Sequence, residues 1–441
     1  MTVSIVLQFV VVLAAIWMGS RYSGVGLGRW GAVGLVVLMI GFGVTPTSPP
    51  VDVMLIILAV IMAASVMDAA GGIDFLVRIA ERIIRANPKY VTIIAPLTTW
   101  SFTFVAGTGH IVYPLLPVIY ETAHQSGIRP ERPLAVATIA SQQAITASPV
   151  AAATAAMIGL FSEKGLTQWG LPEILMVCVP ATLTGVVVAA IVSMFIGKDL
   201  KDDPEYQERL KAGKIPAPKP ADQRPPLKPA AKLSAFVFLG GVALVVLFGF
   251  FPSLRTLPGA KSALAMPIVI EVIMLAVAAI MLAATKIDVD DIPKTATLRA
   301  GVVAVIGIFG LAWLGDSFIA AHKDIIVPAI GHWAETAPWT FAFGLFFASV
   351  LLYSQAATTR ALMPLGIALG IPPQFLIAMF PSVNGYFFIP TYGSLIAAIN
   401  FDLSGTTKIG KYVLNHSFMI PGIVATATAV ITGLFLAKLM F

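Results

Sequence analysis

The chain contains little charge and almost no cysteine. Only 11% of its 441 residues are Asp, Glu, Lys or Arg, against about 25% in soluble proteins, and this excludes an ordinary water-soluble globular enzyme. The single cysteine, Cys178, excludes an intrachain disulfide and a cysteine-based metal or redox motif. HExxH, GxSxG and Walker A patterns are also absent from the sequence. We therefore expect no enzyme and no cofactor.

Hydrophobic residues make up 58% of the chain, which predicts a membrane protein. The net charge of +6 arises from basic residues in short loops between apolar runs. Such residues orient a chain in a bilayer, so we expect no nucleic-acid partner. A hydrocarbon core about 30 Å thick requires about 20 apolar residues per helix. Runs near that length cover residues 3–19, 25–44, 51–67, 174–196, 233–251, 264–284, 298–314 and 413–440.

Loop charges predict the orientation. Arg21 and Arg29 follow the first run, whereas residues 45–50 hold no basic side chain. We therefore expect the first loop to be cytoplasmic and the N-terminus to lie outside. The absence of basic residues before the first run favours a retained span over a cleaved signal peptide.

Three further segments lie between the third and fourth runs. Residues 73–87 place apolar side chains on one face and Arg and Glu on the other, which predicts an amphipathic helix in the cytoplasmic interface. Residues 91–122 are interrupted at residues 107–110 and lie between basic stretches, which predicts a re-entrant hairpin. Residues 134–160 contain an internal polar stretch with Pro149, which predicts a broken helix that crosses the membrane.

The same order returns after residues 198–232, whose Lys, Asp, Glu and Pro content predicts a flexible cytoplasmic linker. The second half adds an interfacial arm at 316–338, a hairpin interrupted at 354–359, and a broken helix at 375–400. The predicted domains are a first repeat (1–197), the linker (198–232) and a second repeat (233–441). Five crossings per repeat is an odd number, so the repeats are predicted to be inverted. We thus predict an all-α polytopic membrane protein with ten full spans and two re-entrant hairpins.

The interruptions also predict a substrate site, because broken helices inside a membrane are tolerated where they line a cavity. Half-helix N-termini carry about half a positive charge, and hydroxyl and amide groups add neutral donors. This combination suits an anion with carboxylates at both ends. The candidate substrate-binding residues are Thr108, Gly109, His110, Gln142, Thr146, Ser148, Ser354, Gln355, Thr358, Arg360, Asn384 and Thr391; none is a metal ligand.

Several candidates have a second interpretation. Any Ser or Thr among them can instead bond to a carbonyl one turn earlier in its helix. His110 is either a substrate donor or proton carrier, or a residue bonded to its own hairpin. Arg360 either clamps a substrate carboxylate with two hydrogen bonds, snorkels to the interface, or pairs with a carboxylate such as Asp316.

Seven motifs together resemble the anaerobic four-carbon dicarboxylate transporter family (Dcu) of bacteria, and the resemblance covers nearly the whole chain. They are Gly107-Thr-Gly-His-Ile-Val-Tyr113, Ile128-Arg-Pro-Glu-Arg-Pro133, Ala147-Ser-Pro-Val150, Ser354-Gln-Ala-Ala357, Pro390-Thr-Tyr392, Phe401-Asp-Leu-Ser-Gly-Thr-Thr407 and Asn415-His-Ser-Phe418.

The resemblance implies a multi-pass carrier in the bacterial inner membrane that exchanges or takes up fumarate, succinate, malate or aspartate. It places the chain in the ion-transporter superfamily, which implies an inverted-repeat elevator and a homodimer. The hairpins, broken helices and adjacent spans would move against a scaffold made by the first three spans of each half. A coupling ion, H⁺ or Na⁺, stays open. The alternatives are a carrier of another organic anion, an ion antiporter of the same superfamily, and a membrane-embedded enzyme.

Overall fold

The structure is a computed structural model that describes residues 2–21, 25–215, 226–260, 262–352 and 354–441. Apart from one isolated β-bridge between Ile409 and His416, these residues form helices, turns and irregular loops. The helices before residue 216 are α1 (Thr2–Arg21), α2 (Gly26–Val36), α3 (Val51–Ala69), α4 (Gly72–Ala86), α5 (Val91–Ala106), α6 (Leu116–Gln125), α7 (Glu131–Gln143), α8 (Ala152–Glu163), α9 (Leu171–Ser193) and α10 (Pro204–Lys211). Those after it are α11 (Ala231–Phe250), α12 (Met266–Thr285), α13 (Ala296–Gly307), α14 (Trp313–Thr336), α15 (Phe341–Leu352), α16 (Gln355–Ala368), α17 (Pro373–Met379), α18 (Gly393–Phe401) and α19 (Met419–Met440). The predicted all-α class is confirmed.

Seven helical stretches of the described residues are long and apolar enough to cross a membrane. They are Val51–Ala69, Glu131–Glu163, Leu171–Ser193, Ala231–Phe250, Met266–Thr285, Ala296–His322 and Met419–Met440. Ser4–Gly19 and Gly28–Gly41, in the first two predicted spans, are shorter apolar helices. The last helix begins at Met419, six residues later than predicted, because residues 402–418 form an irregular loop.

One set of helices, the scaffold group, consists of α1–α3 and α11–α14. Within it α3 packs against α12 and α13, and α2 crosses the π turn at Ile308–Ala312 that joins α13 to α14. Glycines permit this crossing, because a Cβ atom added to Gly310 would lie only 1.8 Å from the carbonyl oxygen of Gly28. The two halves of the chain therefore meet backbone to backbone in this group.

The other set, the interrupted group, consists of α5–α9 and α15–α19. Its long helices α9 and α19 pack along each other, and a Cβ atom on Gly185 would lie 2.4 Å from the carbonyl oxygen of Ala425. Around this pair lie α5, α7 and α17, and α15 packs on the 3₁₀ turn at Phe380–Phe387 that follows α17. The group therefore brings the interrupted segments of both halves together.

The predicted interruptions are present. In the first half α5 ends at Gly107, which has φ +70° and so adopts the left-handed conformation that glycine favours. A Cβ atom there would lie 2.6 Å from the backbone oxygen of Val150. The chain then forms a 3₁₀ turn at Gly109–Leu115 before α6, and a second 3₁₀ turn at Ala144–Ala147 separates α7 from α8.

The second half is interrupted at corresponding places. Ser354 precedes α16, and its hydroxyl accepts a hydrogen bond from the backbone N–H of Ala357 at 3.2 Å, as an N-cap residue does. A 3₁₀ turn at Phe380–Phe387 and a short stretch of bends and turns then separate α17 from α18. Four interruptions in all lie inside apolar sequence.

The segment predicted as the second interfacial arm continues the helix of the span before it. In the first half Gly71, with φ +84°, ends α3 and allows α4 to begin in a new direction. The second half has no glycine turn at the corresponding place. Instead α13 continues through the π turn into α14, and the helix runs past Asp316 without a break.

The flexible character predicted for residues 198–232 is wrong for its first part, because residues 200–211 form a 3₁₀ turn and α10. Asp203 caps α10 by accepting hydrogen bonds from the backbone N–H groups of Glu205 at 3.0 Å and Tyr206 at 3.3 Å, and it pairs with Arg129. Burial alone would raise the pKa of Asp203, but these backbone bonds and the Arg129 guanidinium outweigh it and lower that pKa below the ordinary 3.8. Residues 216–225 of the predicted linker lie outside the described residues.

Candidate functional site

A cavity of about 830 Å³ lies between α13 of the scaffold group and all four interruptions of the interrupted group. Its volume falls within the range of about 300 to 1,000 Å³ that is typical of ligand pockets. The lining from the interrupted group is Gly107, His110, Gln142, Ile145, Ala152, Ala153, Ser349, Leu352, Ser354, Gln355, Ala356, Ala357, Val383, Tyr386, Thr391, Tyr392 and Gly393. The lining from the scaffold group is Gly19, Ala296, Arg299, Ala300, Val303, Ala304 and Gly307.

Three helices of the interrupted group have their N-terminal ends at this cavity. The first residues of α8 (Ala152), α16 (Gln355) and α18 (Gly393) all line it. The N-terminus of a helix carries about half a positive charge and leaves backbone N–H groups without helical partners. The local field therefore favours an anion.

Side-chain amides from both halves meet at the same place. Gln355 Nε2 donates to the backbone oxygen of Gln142 at 3.1 Å and to Asn384 Oδ1. Asn384 Nδ2 in turn lies 3.4 Å from Gln143 Oε1, and Gln143 Nε2 donates to Thr426 at 2.8 Å. Gln142, Gln143 and Asn384 are buried. This amide network connects the broken helix of each half to the other.

The hydroxyl candidates divide into two sets. Thr146 donates to the carbonyl of Gln143 at 2.9 Å, Thr358 donates to that of Ser354 at 2.8 Å, and both side chains are fully buried outside the cavity lining. Ser148 is buried as well and accepts from the N–H of Val150. For Thr146 and Thr358 the structure matches the alternative of a bond to an earlier carbonyl, whereas the bond of Ser148 is a local one to a following N–H group. Ser354 and Thr391, in contrast, line the cavity.

At the first hairpin, His110 is exposed and lines the cavity, with its ring stacked on Tyr113 at 5.9 Å between centroids. The backbone N–H of His110 donates to the hydroxyl of Thr108 at 3.3 Å, so Thr108 holds the turn. Gly109 lies directly against the first break, since a Cβ atom on it would be 2.4 Å from Gln142 Nε2. The structure thus brings the hairpin and the broken helix into contact.

Arg360 lies elsewhere. Its side chain is 1% exposed and does not line the cavity. Nη1 donates to Glu163 at 2.9 Å and Nη2 donates to Asp316 at 3.1 Å. The observed pairing is the alternative that the sequence offered, with Asp316 as the carboxylate, and Glu163 is a second partner that the sequence did not indicate.

Sequence reasoning missed the wall that α13 contributes. Small residues recur along one face of this helix at Ala296, Ala300, Ala304 and Gly307, and Arg299 lies on the same face. This spacing of three and four residues is the signal that could have identified the wall. Among the lining residues, all of which lie in the described part of the chain, Arg299 is the one Lys or Arg, and none is a carboxylate.

Comparisons with known proteins agree with this architecture. A sequence model of the family described as "Anaerobic c4-dicarboxylate membrane transporter" matches residues 4–441. The C4-dicarboxylate transporter DcuA of Wolinella succinogenes is 41% identical over 442 residues, covering 99% of this chain and 100% of its own. The C4-dicarboxylate transporter DcuA of Escherichia coli strain K12 is 42% identical over 437 residues, covering 99% and 100%.

Solved structures show the same fold at low sequence identity. The YdaH transporter of Alcanivorax borkumensis aligns with a TM-score of 0.58 at 14% identity, covering 99% of this chain and 98% of that chain. MtrF of Neisseria gonorrhoeae aligns with a TM-score of 0.53 at 11% identity, covering 93% and 85%. These two likenesses concern the fold alone.

Proposed function

Because the chain belongs to the anaerobic C4-dicarboxylate membrane transporter family, we propose that it exchanges C4-dicarboxylates such as fumarate, succinate, malate and aspartate across the bacterial inner membrane. The observation that carries this proposal is the cavity at which three helix N-termini and the amide network converge without any lining carboxylate. An anion there gains from the helix dipoles and meets no like charge.

Individual donors fit the proposed substrates. Gln142, Ser354, Gln355 and Thr391 offer neutral polar groups at the cavity wall, and His110 offers a ring nitrogen. Gln355 Oε1 is buried without a partner among the described residues. This acceptor suits the 2-hydroxyl of malate or the 2-amino group of aspartate, and fumarate and succinate leave it unused. A site in which few polar groups must be paired with the substrate can accept several different C4-dicarboxylates.

Exchange is favoured by electrostatics. A dianion that moves alone against a membrane potential of 100 mV costs about 4.6 kcal/mol, because each elementary charge costs about 2.3 kcal/mol. The lining has one cation, Arg299, and it belongs to the scaffold group, so no formal positive charge in the lining of the interrupted group offsets the substrate. Returning a second dianion cancels the transferred charge. We expect homologous succinate exchange in proteoliposomes to be insensitive to an imposed potassium diffusion potential; a strong dependence on that potential would contradict exchange.

The elevator mechanism is part of the same proposal. The small residues of α13 give a smooth wall along which the interrupted group can slide with its substrate. Ala304 on this wall and Ala356 at the second hairpin both line the cavity. A disulfide between cysteines at these two positions, in a chain without Cys178, should stop exchange until it is reduced. Exchange at the normal rate in the cross-linked protein would contradict sliding at this wall.

A counterflow assay tests the substrate class. Proteoliposomes loaded with unlabelled succinate should accumulate labelled fumarate, and unlabelled C4-dicarboxylates should compete where monocarboxylates do not. Recovery of chemically unchanged label excludes the membrane-enzyme alternative, whereas competition only by other organic anions would favour a different carrier.

The amide network supplies the matched variants. Gln355→Ala removes the amide that donates to Gln142 and Asn384 across the two broken helices, and Gln207→Ala removes an amide from α10, where Gln207 bonds to the backbone of Leu200. A buried polar group left without its partner costs about 1 to 3 kcal/mol, so loss of the network at the cavity wall should raise the KM for dicarboxylates roughly five- to a hundredfold in Gln355→Ala. Gln207→Ala should not. Equal KM values in the two variants would contradict a role of the amide network in substrate binding.

A further inference from the structure

Arg299 is the fourth residue of α13, and its exposed side chain lines the cavity. Within the described part of the chain its guanidinium makes one hydrogen bond, a long one from Nη2 to the backbone oxygen of Lys294 at 3.5 Å. An arginine has five N–H donors. Most of the binding capacity of this guanidinium is therefore directed at the cavity and not at the protein.

Arg299 lies near the N-terminal end of the cavity wall that α13 forms. It is followed along the same helix face by Val303, Ala304 and Gly307, and the rise from Arg299 to Gly307 is about 12 Å. Gly19, near the end of α1, contributes to the same lining. The basic loops predict that the end of α1 and the start of α13 lie on the cytoplasmic face. Arg299 then lies on the cytoplasmic side of this wall.

The two arginines close to the interrupted segments differ in this respect. Arg360 is 1% exposed and its two Nη groups are occupied by Glu163 and Asp316, so it has little capacity for a substrate. Arg299 is exposed and meets no carboxylate in the lining. A single cation at the mouth of a cleft without acidic lining attracts anions and raises their rate of entry.

We propose that Arg299 is the capture residue for dicarboxylates on the cytoplasmic side. It binds one carboxylate of the incoming substrate and delivers it to the amides and helix N-termini of the interrupted group. This inference rests on the proposed function. Because Arg299 belongs to the scaffold group, it stays at its own face when the interrupted group moves, and it assists loading from that face only.

Membrane vesicles of both orientations test the sidedness. Inverted vesicles expose the cytoplasmic face and right-side-out vesicles expose the opposite face; both are loaded with unlabelled succinate and assayed by initial uptake of labelled fumarate. The variants are Arg299→Gln, which removes the charge, and Arg299→Lys, which keeps it. Lys286→Asn is the control, because Lys286 is exposed outside the lining and its left-handed φ of 50° is one that asparagine tolerates.

We expect Arg299→Gln to lower kcat/KM about tenfold in inverted vesicles and to leave it unchanged in right-side-out vesicles, with kcat unchanged in both. Arg299→Lys should retain most of the wild-type value, and Lys286→Asn all of it. High salt should reduce the wild-type advantage, since the attraction acts across solvent.

The other outcomes overturn the proposal. An equal loss from both faces means that Arg299 only supports the fold, and no loss from the cytoplasmic face means that it captures nothing. The same loss in Lys286→Asn means that general surface charge is responsible. Failure of the proposed function looks different, because wild-type vesicles would then show no dicarboxylate exchange from either face.

Discussion

Arg360, Glu163 and Asp316 form an ion triad around a buried guanidinium. It links α16 to α8 through Glu163 and to α14 through Asp316, at N–O distances of 2.9 and 3.1 Å. The side chains of Glu163 and Asp316 are 25% and 13% exposed. Arg360→Gln removes the guanidinium that pairs with both carboxylates and leaves the two acidic groups close together.

The magnitude follows from the burial. Removing one partner of a buried ion pair costs about 3 to 5 kcal/mol, because the remaining charge stays desolvated. An unfolding entropy of about 2.1 cal/mol/K per residue over 441 residues gives about 0.9 kcal/mol/K for the chain. Arg360→Gln should therefore lower the Tm in detergent by about 3 to 5 °C. The change can be followed by intrinsic fluorescence, with Arg82→Gln as the control because Arg82 is exposed on α4.

A neutral triad separates charge from packing. Arg360→Gln combined with Glu163→Gln and Asp316→Asn removes all three charges, and replacing a complete buried pair by neutral groups is often close to neutral in stability. We expect the triple variant to recover most of the lost Tm. If Arg360→Gln were as stable as the Arg82→Gln control, or if the triple variant stayed as unstable as the single one, the electrostatic reasoning would be refuted. Arg360→Lys should leave the KM for dicarboxylates unchanged. A large rise in KM would instead support the interpretation that Arg360 binds a substrate carboxylate.

Three further predictions concern other parts of the chain. In a chain without Cys178, a membrane-impermeant thiol reagent should label a cysteine at position 258 from outside but not one at position 214, and external labelling at 214 in sealed cells would contradict the inverted topology. Gly107→Ala should reduce transport, whereas Gly127→Ala should not. Both glycines have φ near +70°, but of the two only Gly107 would bring an added Cβ against another backbone segment. Equal transport rates in the two variants would show that this close approach is unimportant. The pKa of Asp203 is lowered, so the stability that its carboxylate contributes is present above the ordinary pKa of 3.8 and is lost as the pH falls below that value. The Tm difference between wild type and Asp203→Asn should therefore be constant near neutral pH and vanish in acid. A difference that persists in acid would point to a non-ionic role.

Much of the fold could be predicted because interruptions leave a local signature. Glycines, prolines and polar residues inside apolar runs release backbone groups that lipid cannot satisfy, and Gly107 and Ser354 mark such places directly. The amphipathic helix α4 follows equally from its periodicity. Inversion of the repeats stays a prediction from loop charges.

The differences arise where tertiary contacts override composition. The polar residue Asp316 does not end the helix. Its carboxylate pairs with Arg360 inside the fold, and α14 continues past it. The start of the linker is rich in charge, yet it forms α10, because Asp203 pairs with Arg129 on a neighbouring loop. Charge density predicts exposure only when the charges have no partners in the fold.

Packing also decides which polar residues reach the cavity. A threonine one turn after a free carbonyl bonds to that carbonyl, as Thr146 and Thr358 do, and sequence alone does not say whether the chain presents it to solvent. Gln142 and Gln355 meet although they lie 213 positions apart, and only the fold brings them together. A basic residue near the end of a span is ordinarily interpreted as a topology signal. The sequence alone therefore does not indicate that Arg299 lines the cavity. In the fold α13 lines the cavity opposite the four interruptions, and Arg299 is the one Lys or Arg among the lining residues.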